Sequence, residues 1–116
     1  MICDLGDIVM VPFPFVDIAA QKRRPSVVLS NRTFNESNRH SVCAMITTAA
    51  SSRWAQDVTI DDLTSAGLTR PCVIRWKIFT LPNENILKQL GTLAISDRTA
   101  AIAAATDIFG HRDAAQ

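Results

Sequence analysis

The chain has 116 residues, 47% of them hydrophobic, and a formal net charge of +1. Such a length supports one packed domain spanning 1–116, and the near-neutral balance excludes a polycation, so any pull on nucleic acid has to come from local patches. No apolar run approaches the roughly 20 residues of a membrane span and no Lys/Arg-led apolar segment opens the chain, so a cytoplasmic protein without membrane contact is expected.

The first predicted element is a strand over Asp7–Phe13, closed by Pro12, Pro14 and Asp17, since proline cannot continue a ladder. Pro25–Leu29, rich in β-branched residues, predicts a second strand. The loop between them carries Gln21-Lys22-Arg23-Arg24, the densest basic cluster in the chain. A charged loop on a hairpin is either a solvated tip or a surface that lies along a polyanion. Asn31–Arg39 is polar and is expected to begin with a turn, with Phe34, its lone large apolar residue, pinning it to the core. Ser41–Thr48 predicts a third strand, apolar on both faces and therefore central. A loop around Trp54 and a short strand over Asp57–Ile60 follow. Asp61–Gly67 begins with Asp and ends with Gly, as one capped helical turn would. Cys72–Lys77, extended by Ile78–Leu81, predicts the next strand, and Pro82–Asn85 a turn. Pattern alone leaves Ile86–Leu93 open between helix and strand, with Gly91 a candidate bulge. Ser96 or Asp97 is expected to cap an alanine-rich helix through Phe109, with Ile102, Thr106 and Phe109 on one face and Gly110 as the stop. Short strands, one C-terminal helix and no long crossover imply a small, mainly β, mostly antiparallel barrel.

Standard site patterns are scarce. There is no Gly-rich phosphate loop, and His40 and His111 have no Cys or carboxylate at ligand spacing, so no metal or other cofactor is expected. Cys3, Cys43 and Cys72 are odd in number and widely spaced, which fits buried thiols in a reducing compartment. Arg75 follows the core-like Val73 and Ile74. It either snorkels to water or aims its planar fork at phosphate oxygens. Thr47 and Thr48 end a strand, where their hydroxyls either close a local turn or steady an oxyanion. Trp54 and Trp76 either pack in the core or stack on unpaired bases.

Gly6-Asp7-Ile8-Val9, Val11-Pro12-Phe13-Pro14-Phe15 and Arg23-Arg24-Pro25 with Val27-Val28-Leu29-Ser30 together resemble the N-terminal signature of the PemK/MazF toxins of bacterial toxin–antitoxin pairs. The likeness continues at Ile46-Thr47-Thr48, Gly67-Leu68, Val73-Ile74-Arg75, Phe79-Thr80-Leu81 and Leu90-Gly91-Thr92-Leu93. It implies the SH3-like barrel of the PemK/MazF/CcdB type. It also implies a metal-independent endoribonuclease that cleaves single-stranded RNA at selected sequences. In such enzymes the substrate's 2′-OH attacks the adjacent phosphate, leaving a 2′,3′-cyclic phosphate and a 5′-OH. By the same resemblance Arg75 neutralises the reacting phosphate, Thr47 and Thr48 fix it, and Arg24 shapes the pocket. Lys22, Arg23 and Lys77, as candidates for flanking phosphates, and Trp76, as a candidate for base stacking, are the expected RNA contacts. Two acidic positions of the family pattern are missing: Ala19 and Ala20 stand where relatives have a glutamate, and Lys77 where several have an aspartate. Asp17 is the carboxylate left in the opening loop, as base or as turn cap. The family further implies a homodimer held inactive by an antitoxin with an acidic, extended segment. The competing expectation is a non-catalytic binding module, such as CcdB, which acts on DNA gyrase.

Overall fold

The computed structural model describes residues 1–13 and 22–110. Six strands form one antiparallel sheet: β1 (Asp7–Phe13), β2 (Lys22–Val28), β3 (His40–Thr48), β4 (Val58–Thr59), β5 (Cys72–Pro82) and β6 (Lys88–Thr92). Their order across the sheet is β4-β5-β3-β2-β1-β6, curled into a half-barrel. Three helices join them: α1 (Arg32–Asn38), α2 (Leu63–Ala66) and α3 (Ile95–Ile108).

The middle strands bury both faces. Successive side chains of a strand point to opposite sides, and here both sides are apolar. Ile8, Val27 and Ala44 enter one cluster with Ile46, Ile74 and Ala101; Val9, Val28 and Cys43 enter a second with Phe79, Leu81 and Ile86. The expectation of a central third strand therefore holds: β3 pairs with β2 on one side and β5 on the other. All three cysteines are buried and free. Burial pushes the Cys43 thiol up to about 12 and raises those of Cys3 and Cys72 as well.

Several local expectations need correction. The basic cluster is not a loop: Lys22, Arg23 and Arg24 form the start of β2, opposite Phe13, Pro12 and Val11. β3 reaches β2 only over Ser26–Val28, so this end of the β1–β2 ribbon projects past the sheet, and exposed charge does not oppose strand pairing there. Pro12 and Pro25 are tolerated inside strands for the same reason. β6 pairs with β1 only over Asp7–Met10, so each proline lies beyond a neighbouring ladder that would need its N–H.

The polar segment after β2 is the helix α1, capped by the Asn31 carboxamide on Phe34 N at 2.8 Å and ended by Arg39 in the left-handed region. Phe34 is exposed, and its neighbour Asn35 is the anchor. The Asn35 side-chain amide donates to the carbonyls of Cys3 and Ser30, both at 3.0 Å, and the Asn35 backbone carbonyl accepts from Asn83 Nδ2 at 2.8 Å. Ser41 Oγ donates to Asn83 Oδ1 at 2.7 Å. Two buried amides thus tie the N-terminus, α1 and the turn after β5 together, and each is worth far more in place than when one partner is removed.

The helix α3 starts at Ile95, with Ala94 as its N-cap, so neither Ser96 nor Asp97 is the cap. The Asp97 carboxylate, 2% exposed, instead accepts from the backbone N–H groups of Asp61 (3.1 Å) and Asp62 (2.9 Å). Ala101, Ala104, Ala105 and Ile108 pack on the core, whereas Ile102 and Phe109 are exposed.

Gly91 does sit at a bulge: β1 and β6 slip register between Ile8 and Val9, leaving Leu90 unpaired against β1. A Cβ on Gly91 would lie 2.3 Å from Ser65 O, and one on Gly67 would lie 2.0 Å from Leu90 O. Gly67 also has φ +73°, as the left-handed end of α2.

Gly67→Ala should cost about 2–5 kcal/mol, combining left-handed strain with a forced separation of α2 from β6; a denaturation midpoint that stays put would refute the close approach. Thiol titration at pH 8 should find no rapidly reacting cysteine in the native protein and three in denaturant.

Candidate active site

A cleft of about 540 Å³ opens beside the β3–β5 ladder. Its lining includes Phe13, Arg24, Pro25, Met45, Thr47, Thr48, Ser51, Arg70, Arg75 and Lys77. The ladder itself builds it. Thr48 pairs with Cys72, Thr47 with Val73 and Met45 with Arg75, but the next residue of β3, Ala44, pairs with Ile78. Trp76 and Lys77 are therefore surplus on β5. Such bulges re-aim side chains and recur beside active sites. Side chains keep alternating through this one: Arg75 and Lys77 face the cleft, while Ile74, Trp76 and Ile78 face the core.

Trp76 is 6% exposed, and its Nε1 donates to Gln56 O at 2.6 Å. Its ring offers no surface for a base, which corrects its placement among the RNA contacts. Trp54 is the surface indole: it is 40% exposed, and the Arg75 guanidinium lies 5.0 Å from its ring centroid. The Trp54 loop is pinned at several points. Thr48 Oγ1 and Ser51 Oγ share a hydrogen bond of 2.8 Å, Ala49 N donates to Pro71 O, and Trp54 N donates to Asp57 Oδ2 at 3.2 Å. Arg24 stands on β2 with its guanidinium 5.6 Å from the Phe13 ring centroid. Lys22 and Arg23 are exposed at the projecting end of the same strand. Asp17 lies outside the described residues.

The structure thus brings Arg24, Thr47, Thr48, Arg75 and Lys77 to one cleft and leaves Lys22 and Arg23 off its lining. It adds Arg70, which sequence reasoning passed over. A signal was present: Arg70-Pro71 repeats the pattern of Arg24-Pro25, an arginine immediately before a proline at a strand. Among the described residues the lining holds four cations and no carboxylate. The cationic field reaches Cys72 too, where burial raises the thiol's pKa and Arg70 opposes the rise. Unneutralised guanidinium groups around hydroxyls make a site for an anion with several oxygens. Among the described residues no three His, Cys, Asp or Glu side chains come together as metal ligands, and no helix is long and apolar enough to cross a membrane.

Residues 4–109 match the family model described as the PemK-like, MazF-like toxin of type II toxin–antitoxin systems. The chain belongs to that family. Solved structures agree on the fold. A MazE–MazF complex from Deinococcus radiodurans superposes with a TM-score of 0.75 at 17% identity, over 97% of this chain and 99% of that one. An endoribonuclease in complex with its cognate antitoxin, from a mycobacterial species, gives 0.73 at 16% identity, covering 97% of each chain. The MazF-mt6 toxin of Mycobacterium tuberculosis gives 0.70 at 23% identity, over 92% and 99%. No curated protein sequence matches the chain. The MazF-like half-barrel and the toxin family anticipated from the opening motif are thereby established.

Inorganic tripolyphosphate at about ten times its Kd should raise the thermal midpoint by about 5 °C at low salt. Arg75→Ala should remove more than half of that shift; an unchanged shift would place the anion elsewhere.

Proposed function

We propose that this toxin is a sequence-selective endoribonuclease that cleaves single-stranded RNA without a metal ion. The observation that carries the reading is the cleft's charge: Arg24, Arg70, Arg75 and Lys77 around Thr47 and Thr48, with no carboxylate on the described lining. The family and the endoribonuclease fold neighbour support it.

RNA carries its own nucleophile. The 2′-oxygen attacks the adjacent phosphorus, the bond from phosphorus to the 5′-oxygen breaks, and the ends are a 2′,3′-cyclic phosphate and a 5′-OH. One proton leaves the 2′-OH and one reaches the departing 5′-oxygen. Negative charge builds on the non-bridging oxygens between these events. Fixed donors aimed at that charge supply much of the acceleration, without reorganising. Arg75, on the cleft lining, is assigned to those oxygens, and its guanidinium donates toward the leaving oxygen. Thr47 and Thr48 hold the phosphate in line, and Arg24 closes the pocket from β2. This leaves orientation and charge stabilisation as the main tasks, which few titratable groups can perform. Asp17 is the candidate base; Lys77 takes the position of a family acid and adds charge to the transition state.

Lys22, Arg23 and Arg70 are assigned to flanking phosphates, which position a strand and carry no sequence code. The toxin is further assigned to a homodimer and to an antitoxin partner. An acidic extended segment that orders on binding would suit this cationic cleft.

The test is cleavage of a mixed single-stranded RNA pool with EDTA present. Wild type should give 5′-OH fragments at a short recurring sequence. Arg75→Ala should lower kcat by about 10²–10³-fold, the usual loss when one transition-state donor is removed. Folded wild type that cuts nothing would point instead to a binding module acting on a protein target.

A further inference from the structure

We propose that Trp54 is the positioning residue for Arg75: its indole face holds the guanidinium in place for the phosphate while leaving the positive charge unneutralised. The inference rests on the RNA-cleaving reading of the cleft and names how that reading's central arginine is oriented.

A long, flexible side chain has to be fixed before it can act as a preorganised donor. The usual device is a carboxylate partner. In this site a carboxylate would offset the charge that the phosphate needs, and among the described residues none lines the cleft. Hydrogen bonding at the root of the guanidinium does not fix it either, because Arg75 Nε is buried and has no hydrogen-bond partner. The contact that does engage the guanidinium is the Trp54 ring, 5.0 Å from its centroid. An indole is the strongest of the aromatic faces for a cation. Stacking uses the flat face of the guanidinium and leaves the N–H groups at its edge free to donate.

The backbone that carries the ring is itself held. Trp54 N donates to Asp57 Oδ2 at 3.2 Å, and Asp57 N donates back to Trp54 O at 3.1 Å. The following residue but one, Gln56, accepts from Trp76 Nε1 at 2.6 Å. Trp76 and Arg75 are adjacent on β5, and Trp76 belongs to its bulge. Strand alternation therefore aims Arg75 toward the cleft and Trp76 into the core, and the buried Trp76 anchors the loop that carries the Trp54 ring. Arginine and platform are referenced to one short stretch of backbone.

The experiment compares wild type, Trp54→Phe, Trp54→Ala, Arg75→Ala and the Trp54→Ala/Arg75→Ala double variant, each checked for an unchanged thermal midpoint. Cleavage of one RNA sequence and affinity for its 2′-O-methyl counterpart, which cannot supply the nucleophile, are both measured. Loss of the ring should lower kcat by about 10–30-fold with KM within about threefold, and phenylalanine should restore kcat to within about threefold of wild type. With alanine at position 75, removing Trp54 should change neither kcat nor affinity by more than about twofold, because the effect passes through Arg75. An equal loss in both backgrounds, or a rise in KM alone, would overturn the proposal and make Trp54 a stacking platform for a base. If folded wild type cleaves no RNA, the nuclease reading fails, and the affinity arm decides on Trp54. Weakening by Trp54→Ala that vanishes with Arg75→Ala upholds the positioning role, and any other pattern overturns it.

Discussion

The alternation of side chains along β5, kept through its break in register with β3, is the constraint on which the site depends. A regular antiparallel ladder would carry Ala44 opposite the residue next to Arg75. Instead the pairing jumps from Arg75 to Ile78, and Trp76 and Lys77 are accommodated outside it. Because two residues are inserted, alternation along β5 is kept: Trp76 faces the core, and Arg75 and Lys77 face the cleft. The jump costs some ladder hydrogen bonding, which the indole N–H partly offsets through Gln56.

Charge distribution follows from that backbone. The chain is almost neutral overall, yet one cleft gathers Arg24, Arg70, Arg75 and Lys77. The described acidic side chains with structural roles stand elsewhere. Asp97 binds backbone N–H groups beneath α3, Asp62 caps α2 and Asp4 accepts from Leu5 N and Arg32 N, which holds its carboxyl below the ordinary value. Segregation of this kind gives a strong local field without making the whole protein a polycation.

Two close-packed arrangements lie outside the cleft lining. On the β6 side, two glycines let backbone meet backbone: Gly67 against Leu90 O, and Gly91 against Ser65 O. On the far side, Asn35 and Asn83 knit three segments through buried amides. Both arrangements are intolerant of change because no spare volume or spare hydrogen-bond partner remains.

Local patterns were legible along the sequence. The proline-closed run Asp7–Phe13 marked β1, apolar residues on both faces marked β3, the Asp-to-Gly frame marked α2, and the opening motif with Ile46-Thr47-Thr48 and Val73-Ile74-Arg75 marked the toxin family and the cleft's main residues. These features depend on near neighbours in the chain, where side-chain periodicity and capping act directly. Tertiary structure decided the rest. It drew the basic cluster into β2, because that strand outlasts its neighbour. It buried Asn35 and Asp97, because groups distant in sequence supplied their partners. It moved Arg70 into the cleft and reversed the roles of two tryptophans, with Trp76 buried and Trp54 beside Arg75. Composition cannot separate those two indoles: Trp76 lies on the core-facing side of β5, while Trp54 lies in a loop that distant residues hold against Arg75's side of the sheet.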